Sequence, residues 1–176
     1  MREDLGYRGA LIRSSGGGFV VAAVIPAVAI WMTHGGLPAV SGPSAALGAC
    51  LAGAGALGSV WSTLVMAKWG FRDGWRGRGP THLVVQGPYA YLRNPFAMGA
   101  AGMLVGALLL APSQAFAAYA GTCVAVGYLH TRREEARLLR RLGAAYRRYQ
   151  QTVPRWVPRR PLRTAGVAVL SRIIHP

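Results

Sequence analysis

Apolar residues fill two long stretches of this chain, and charge is excluded from both. No Lys, Arg, Asp or Glu occurs from Ser14 to Val65, and none occurs from Asn94 to Thr131. A hydrocarbon core about 30 Å thick is crossed by roughly 20 helical residues, so each stretch is too long for a single crossing. Turn-forming residues divide both. The first reads as spans near residues 17–33 and 44–68, joined by a Gly- and Pro-rich link over 34–43. The second reads as 95–111 and 113–130, turning at Pro112. The expected fold is all-α: a polytopic transmembrane helical bundle of about four spans, with room for a fifth helix. A C-terminal amphipathic cytoplasmic helix follows. One integral membrane domain covers 1-176, with an N-terminal hairpin over 1-68 and a loop, second hairpin and C-terminal helix over 69-176.

Composition agrees with a membrane as solvent: 52% of the 176 residues are hydrophobic. With 20 Lys+Arg against 5 Asp+Glu, the net charge of +15 by itself suits nucleic acid or anionic lipid. Placement separates the two. Every basic residue falls in the N-terminal tail, the 68–93 loop or the tail after Thr131. That distribution satisfies the positive-inside rule with both termini cytoplasmic. The basic tail follows a span directly and carries no nucleic-acid module, so the expected partner is a bilayer with anionic lipids. No small-residue cleavage site follows the first apolar run, which is expected to be retained. The abundance of Ala, Gly and Arg hints at a GC-rich bacterial genome, so the expected location is a bacterial inner membrane. Cys50 and Cys123 lie within apolar spans, where they read as small packed residues, and no His or Cys pairing has the spacing of a metal site.

Gly53-Ala-Gly55-Ala-Leu-Gly58 spells a dinucleotide-binding fingerprint, but it lies inside an apolar helical pattern with no preceding strand. Small residues four apart, Gly48 with Ala52, Gly55 with Ser59 and Gly102 with Gly106, instead predict close helix packing.

Two polar segments hold the candidate chemistry. The first is His82-Leu-Val-Val-Gln-Gly-Pro-Tyr89-Ala-Tyr-Leu-Arg93-Asn94-Pro95. A proline can open the following helix, and it pushes the residue before it out of the α region. Asn94 is therefore either a helix cap or a ligand contact held at the membrane boundary. The second begins Thr131-Arg-Arg-Glu134-Glu135 and runs through Gly143 and Tyr146 to Tyr149, Val153 and Pro154. Leu138, Leu142, Ala145 and Tyr149 form an apolar stripe that packs either on the membrane surface or back onto the protein. Glu134 and Glu135, the only acids after Asp73, either make helix-surface ion pairs or hold a cationic group in a partly dehydrated pocket.

Taken together, Gly87, Tyr89, Arg93, Asn94 and Pro95, then Glu134, Glu135, Gly143, Tyr146, Tyr149, Val153 and Pro154, resemble the isoprenylcysteine carboxyl methyltransferase and phospholipid methyltransferase superfamily. The resemblance covers roughly the C-terminal half. It implies an integral membrane enzyme that uses S-adenosylmethionine, with S-adenosylhomocysteine as product, to methylate a lipid or amphipathic small-molecule acceptor. It also implies that His82, Leu83, Val84, Tyr89, Asn94 and Pro95 line the cofactor, that Glu134 holds its amino-acid end, and that Arg93 and Tyr146 contribute. Two positions depart from the family pattern. Ala97 stands where an aromatic is usual, and His130 stands where eukaryotic relatives carry a basic residue that orients substrate.

A carboxylate acceptor needs no general base, whereas an amine or hydroxyl must lose a proton, for which His130 or Glu135 would serve. The alternatives are a sterol-type membrane reductase using a reduced nicotinamide cofactor and a non-enzymatic scaffold that binds anionic lipid.

Overall fold

The structure is a computed structural model, and it describes residues 42–70 and 82–156. The span expected near residues 17–33, the tails at both ends and residues 71–81 of the polar loop lie outside the described residues. Within them the fold is all-helical. Helix α1 spans Gly42–Gly70, a single 3-10 turn spans Gly87–Ala90, α2 spans Pro95–Leu110 and α3 spans Gln114–Thr152.

The expected 44–68 span is α1, and it is the one described helix long and apolar enough to cross a membrane. Its 29 residues rise about 44 Å at 1.5 Å each. The rest of the described chain buries 17% of its most apolar window. A core helix of a soluble protein would be mostly covered, so this exposure marks a surface suited to lipid. Leu57, Trp61 and Leu64 lie on the open side, and so does Cys50. This corrects the expectation of a packed Cys50, because the buried stripe of α1 is taken by smaller residues.

That stripe is Gly48, Gly55, Ser59 and Ser62. Helix α2 packs directly against it through Gly99 and Gly106. A Cβ at Gly48 would lie 2.8 Å from the Gly106 carbonyl oxygen, and one at Gly106 would lie 2.5 Å from the Gly48 carbonyl oxygen. The two backbones are in contact because neither carries a side chain there. Gly53 and Gly58 meet nothing. The apparent dinucleotide fingerprint thus contributes one glycine, Gly55, to a helix interface.

Helix α2 has 16 residues, about 24 Å, and is too short to qualify as a span by itself. Pro112 turns the chain into α3, and Leu104 packs on Phe116 and Ala120 to close the hairpin. The second half of this hairpin and the C-terminal amphipathic helix form one element up to Gly143, where φ of 55° and ψ of −125° break the helix. Beyond the break the apolar stripe folds back onto the protein, resolving that alternative. Tyr146, Tyr149 and Val153 form a buried cluster with Val85, and Leu83, Leu138 and Leu142 pack against it.

Candidate active site

The polar segment before α2 is held by the end of α3. Gly87 adopts a φ of +56°, which L side chains rarely adopt, and turns the chain into the 3-10 turn with Pro88 behind it. Tyr89 is buried there, and its hydroxyl reaches the Ser62 carbonyl of α1 at 3.4 Å. From the opposite side, the Tyr149 hydroxyl donates to the Tyr89 carbonyl at 2.7 Å. The Arg93 N–H donates to the Pro154 carbonyl at 3.0 Å. Residues 89–94 are therefore pinned between α1 and the C-terminal segment.

This arrangement brings Arg93 and Asn94 to Glu135, more than 40 residues away along the chain. The Glu135 side chain is 4% exposed, and both its oxygens are occupied. Asn94 Nδ2 donates to Oε1 at 3.1 Å and Arg93 Nη1 donates to Oε2 at 3.2 Å. Arg155 adds its Nε, 3.1 Å from both oxygens, and its Nη2 on Oε2. A carboxylate this far from water is tolerated because its charge is met twice over and its lone pairs are filled. Asn94 makes no side-chain capping bond to α2, since its amide is turned to Glu135. Arg93 Nε is buried without a hydrogen-bond partner.

Glu134 differs from its neighbour. Its side chain is 47% exposed, with His130 Nδ1 at 4.0 Å one turn earlier. It still acts on the same locality, because burial first and then the Glu134 charge hold the Tyr89 phenol above its usual range. Tyr146 is raised likewise, by burial first and then by Glu135. Tyr149 is raised by burial and by the neighbouring phenols. All three are neutral at physiological pH, and Tyr89 and Tyr149 act as donors.

The expected site residues fall into three groups. Arg93, Asn94 and Glu135 touch directly, with Tyr146 close enough to feel their charges. Leu83, Val84, Tyr89 and Pro95 are buried or half-buried, Leu83 against the tyrosine cluster and Tyr89 against α1. His82 has its backbone N–H on the Gly70 carbonyl at 3.4 Å, and the exposed imidazole of His130 pairs with Glu134. Sequence reasoning did not single out Arg155 or the structural role of Tyr149. The signal for Arg155 was available as the first cation after the Val153-Pro154 stop, but seven other arginines from Arg132 to Arg148 obscured it. His34 and His175 lie outside the described residues. Among those described, no cluster of metal-ligating side chains occurs.

An apolar helix long enough to cross a membrane, beside a buried polar cluster of two arginines and one carboxylate, defines a helical protein of the kind expected to associate with a membrane. Residues 43–145 match the model of the phospholipid methyltransferase family, and the chain belongs to that family. It is therefore a methyltransferase of a membrane-associated, lipid-directed class. No curated protein and no solved structure matches the chain significantly.

Proposed function

We propose that the protein transfers a methyl group from S-adenosylmethionine to a lipidic or membrane-embedded small acceptor at the cytoplasmic membrane face. Family membership supports methyl transfer to a lipid. The observation that carries the reading to this cofactor is a solvent-open carboxylate, approached by the exposed His130 at 4.0 Å, together with a guanidinium one of whose donors has no partner. Glu134 offers a half-exposed carboxylate, and Arg93 keeps a buried donor without a partner. An amino-acid end with one ammonium and one carboxylate suits that pair. The residues present thus fit the cofactor, which when bound supplies a methyl group on a cationic sulfur.

In this reading Glu134 holds the α-ammonium, while Asn94, Pro95, Tyr89 and Tyr146 shape the polar end of the pocket. His82, Leu83 and Val84 line its apolar side. The buried wall excludes water from the acceptor, and the pinned 89–94 segment fixes orientation, which is the main requirement for an in-line displacement. Glu135 has both oxygens engaged by donors, so the open imidazole of His130 is the better base for an amine or hydroxyl acceptor. A carboxylate acceptor needs neither. The four-span arrangement, with both termini cytoplasmic in a bacterial inner membrane, belongs to the same proposal. The lipid acceptor would then enter from the bilayer beside α1.

Calorimetry of S-adenosylmethionine and S-adenosylhomocysteine with the detergent-purified protein tests the reading. Saturable binding is expected, weakened about tenfold or more by Glu134→Gln, the loss of one charge-assisted contact to the ammonium, and weakened also by Asn94→Ala, which removes one of the donors that hold Glu135 and the polar end of the pocket in place. Unchanged affinity in Glu134→Gln would remove the ammonium contact. Absence of binding to the folded wild type would return the reductase and scaffold alternatives.

A further inference from the structure

Arg155 comes from a segment that carries no helix, yet it is the best-anchored cation in the described chain. On one side Val153 is 1% exposed within the tyrosine cluster, and on the other Trp156 stacks on Tyr128 with ring centroids 6.2 Å apart and planes at 28°. The Pro154 carbonyl between them receives the Arg93 N–H. The chain after α3 is thus folded back along the helix, and the guanidinium of Arg155 is delivered onto both oxygens of Glu135.

Glu135 has one charge and two arginines beside it, so the cluster of Arg93, Arg155 and Glu135 carries a net positive charge in largely buried surroundings. Arg155 takes the carboxylate with a two-nitrogen edge, the stronger of the two arginine contacts. Arg93 is left with one Nη1 contact and a buried Nε that donates to nothing. Were Arg155 absent, the geometry that satisfies most donors would turn the Nε edge of Arg93 onto the same carboxylate. We propose that Arg155 is a positioning residue: by occupying Glu135 it keeps the Arg93 guanidinium available for an anionic group of the bound ligand. Building on the methyltransferase reading, that group is either the carboxylate at the amino-acid end of the cofactor or a phosphate or carboxylate on the acceptor. The raised pKa of Arg155, caused first by its hydrogen bonds to Glu135, is consistent with this permanent pairing.

Two measurements test the role separately from the reaction. In 15N spectra of arginine-labelled protein, Arg155→Ala is expected to move the Arg93 Nε–H resonance into the range of a carboxylate-bonded guanidinium, and Arg155→Lys to move it less. An Arg93 resonance identical in wild type and Arg155→Ala overturns the proposal, whatever the wild type binds. In calorimetry, Arg155→Ala is expected to weaken S-adenosylhomocysteine by about tenfold or more, the worth of one charge-assisted hydrogen bond, with partial recovery in Arg155→Lys. Methylthioadenosine, which lacks the amino-acid end, should be unaffected if the cofactor carboxylate is the group held. If S-adenosylhomocysteine is also unaffected, the acceptor version predicts the same loss for phosphatidic acid in mixed micelles. Unchanged affinity for all three probes refutes the role. Failure of the wild type to bind either nucleotide refutes the methyltransferase reading alone.

Discussion

At the scale of single residues, the site depends on buried hydroxyls as much as on charges. Tyr149 joins α3 to the 89–94 segment through one 2.7 Å hydrogen bond. Tyr149→Phe leaves the Tyr89 carbonyl without that donor in a buried place, so a loss of about 1 to 3 kcal/mol in unfolding free energy is expected by chemical denaturation in detergent. The same tyrosines set a limit at high pH. Burial raises the phenols of Tyr89, Tyr146 and Tyr149 above the usual 10.0. In the unfolded chain they ionise near 10, so their contribution to stability is intact below that pH and is lost progressively as pH rises past it. A phenolate absorbance titration should therefore show these groups ionising together with unfolding, and stability should fall less steeply above pH 10 in Tyr149→Phe, which has one raised phenol fewer. The sequence showed that two adjacent carboxylates in a basic tail needed a reason. It could not say which one is buried, because adjacent positions on a helix point about 100° apart and their burial depends on the register of α3 against a segment some 40 residues earlier. Asn94 illustrates the same limit: Pro95 fixed its backbone, while its side-chain partner was a long-range contact.

At the scale of elements, the small-residue spacing was legible and correct, since four-residue recurrence places residues on one helix face whatever lies opposite. The interface between α1 and α2 follows from it. Gly106→Val puts branched carbons where a Cβ already meets backbone at 2.5 Å, and should cost about 1 to 3 kcal/mol or separate the helices. Gly53→Ala and Gly58→Ala meet open space and should be neutral or slightly stabilising, by about 1 kcal/mol or less, through helix propensity. The contrast, read as thermal stability in one detergent, distinguishes a packing stripe from a nucleotide loop, in which all three glycines of the fingerprint would matter. The break at Gly143 was not legible as a break. A glycine within a good helical pattern is equally compatible with a continuous helix, and the positive φ arises because the Tyr146 to Val153 stripe must turn back onto Val85.

For the whole molecule, the relation between the hairpin and the site fixes how deep the chain must travel. Helix α2 leaves from Asn94 and α3 returns to Glu135, and the two ends meet in the hydrogen bond between those side chains. The way out is 16 residues, about 24 Å, and the way back from Gln114 to Glu135 is about 32 Å. These lengths bracket a hydrocarbon core of about 30 Å, so Pro112 reaches the far headgroups if the hairpin stands along the bilayer normal, and stays inside the bilayer if it tilts. The four-span proposal corresponds to the first case: no ionisable residue lies between Asn94 and Arg132 except His130 and the weakly acidic Tyr and Cys side chains, while seven arginines follow from Arg132 to Arg148 on the return side. In a cysteine-free background, with Cys50 and Cys123 replaced by Ala, P112C should react with a membrane-impermeant maleimide added outside right-side-out vesicles. R148C should react only after permeabilisation. Labelling of both positions from the same side would make the hairpin re-entrant and reduce the span count. It would leave the cluster intact, because Arg93, Asn94 and Glu135 are fixed to one another by direct contacts and not by the depth of the turn.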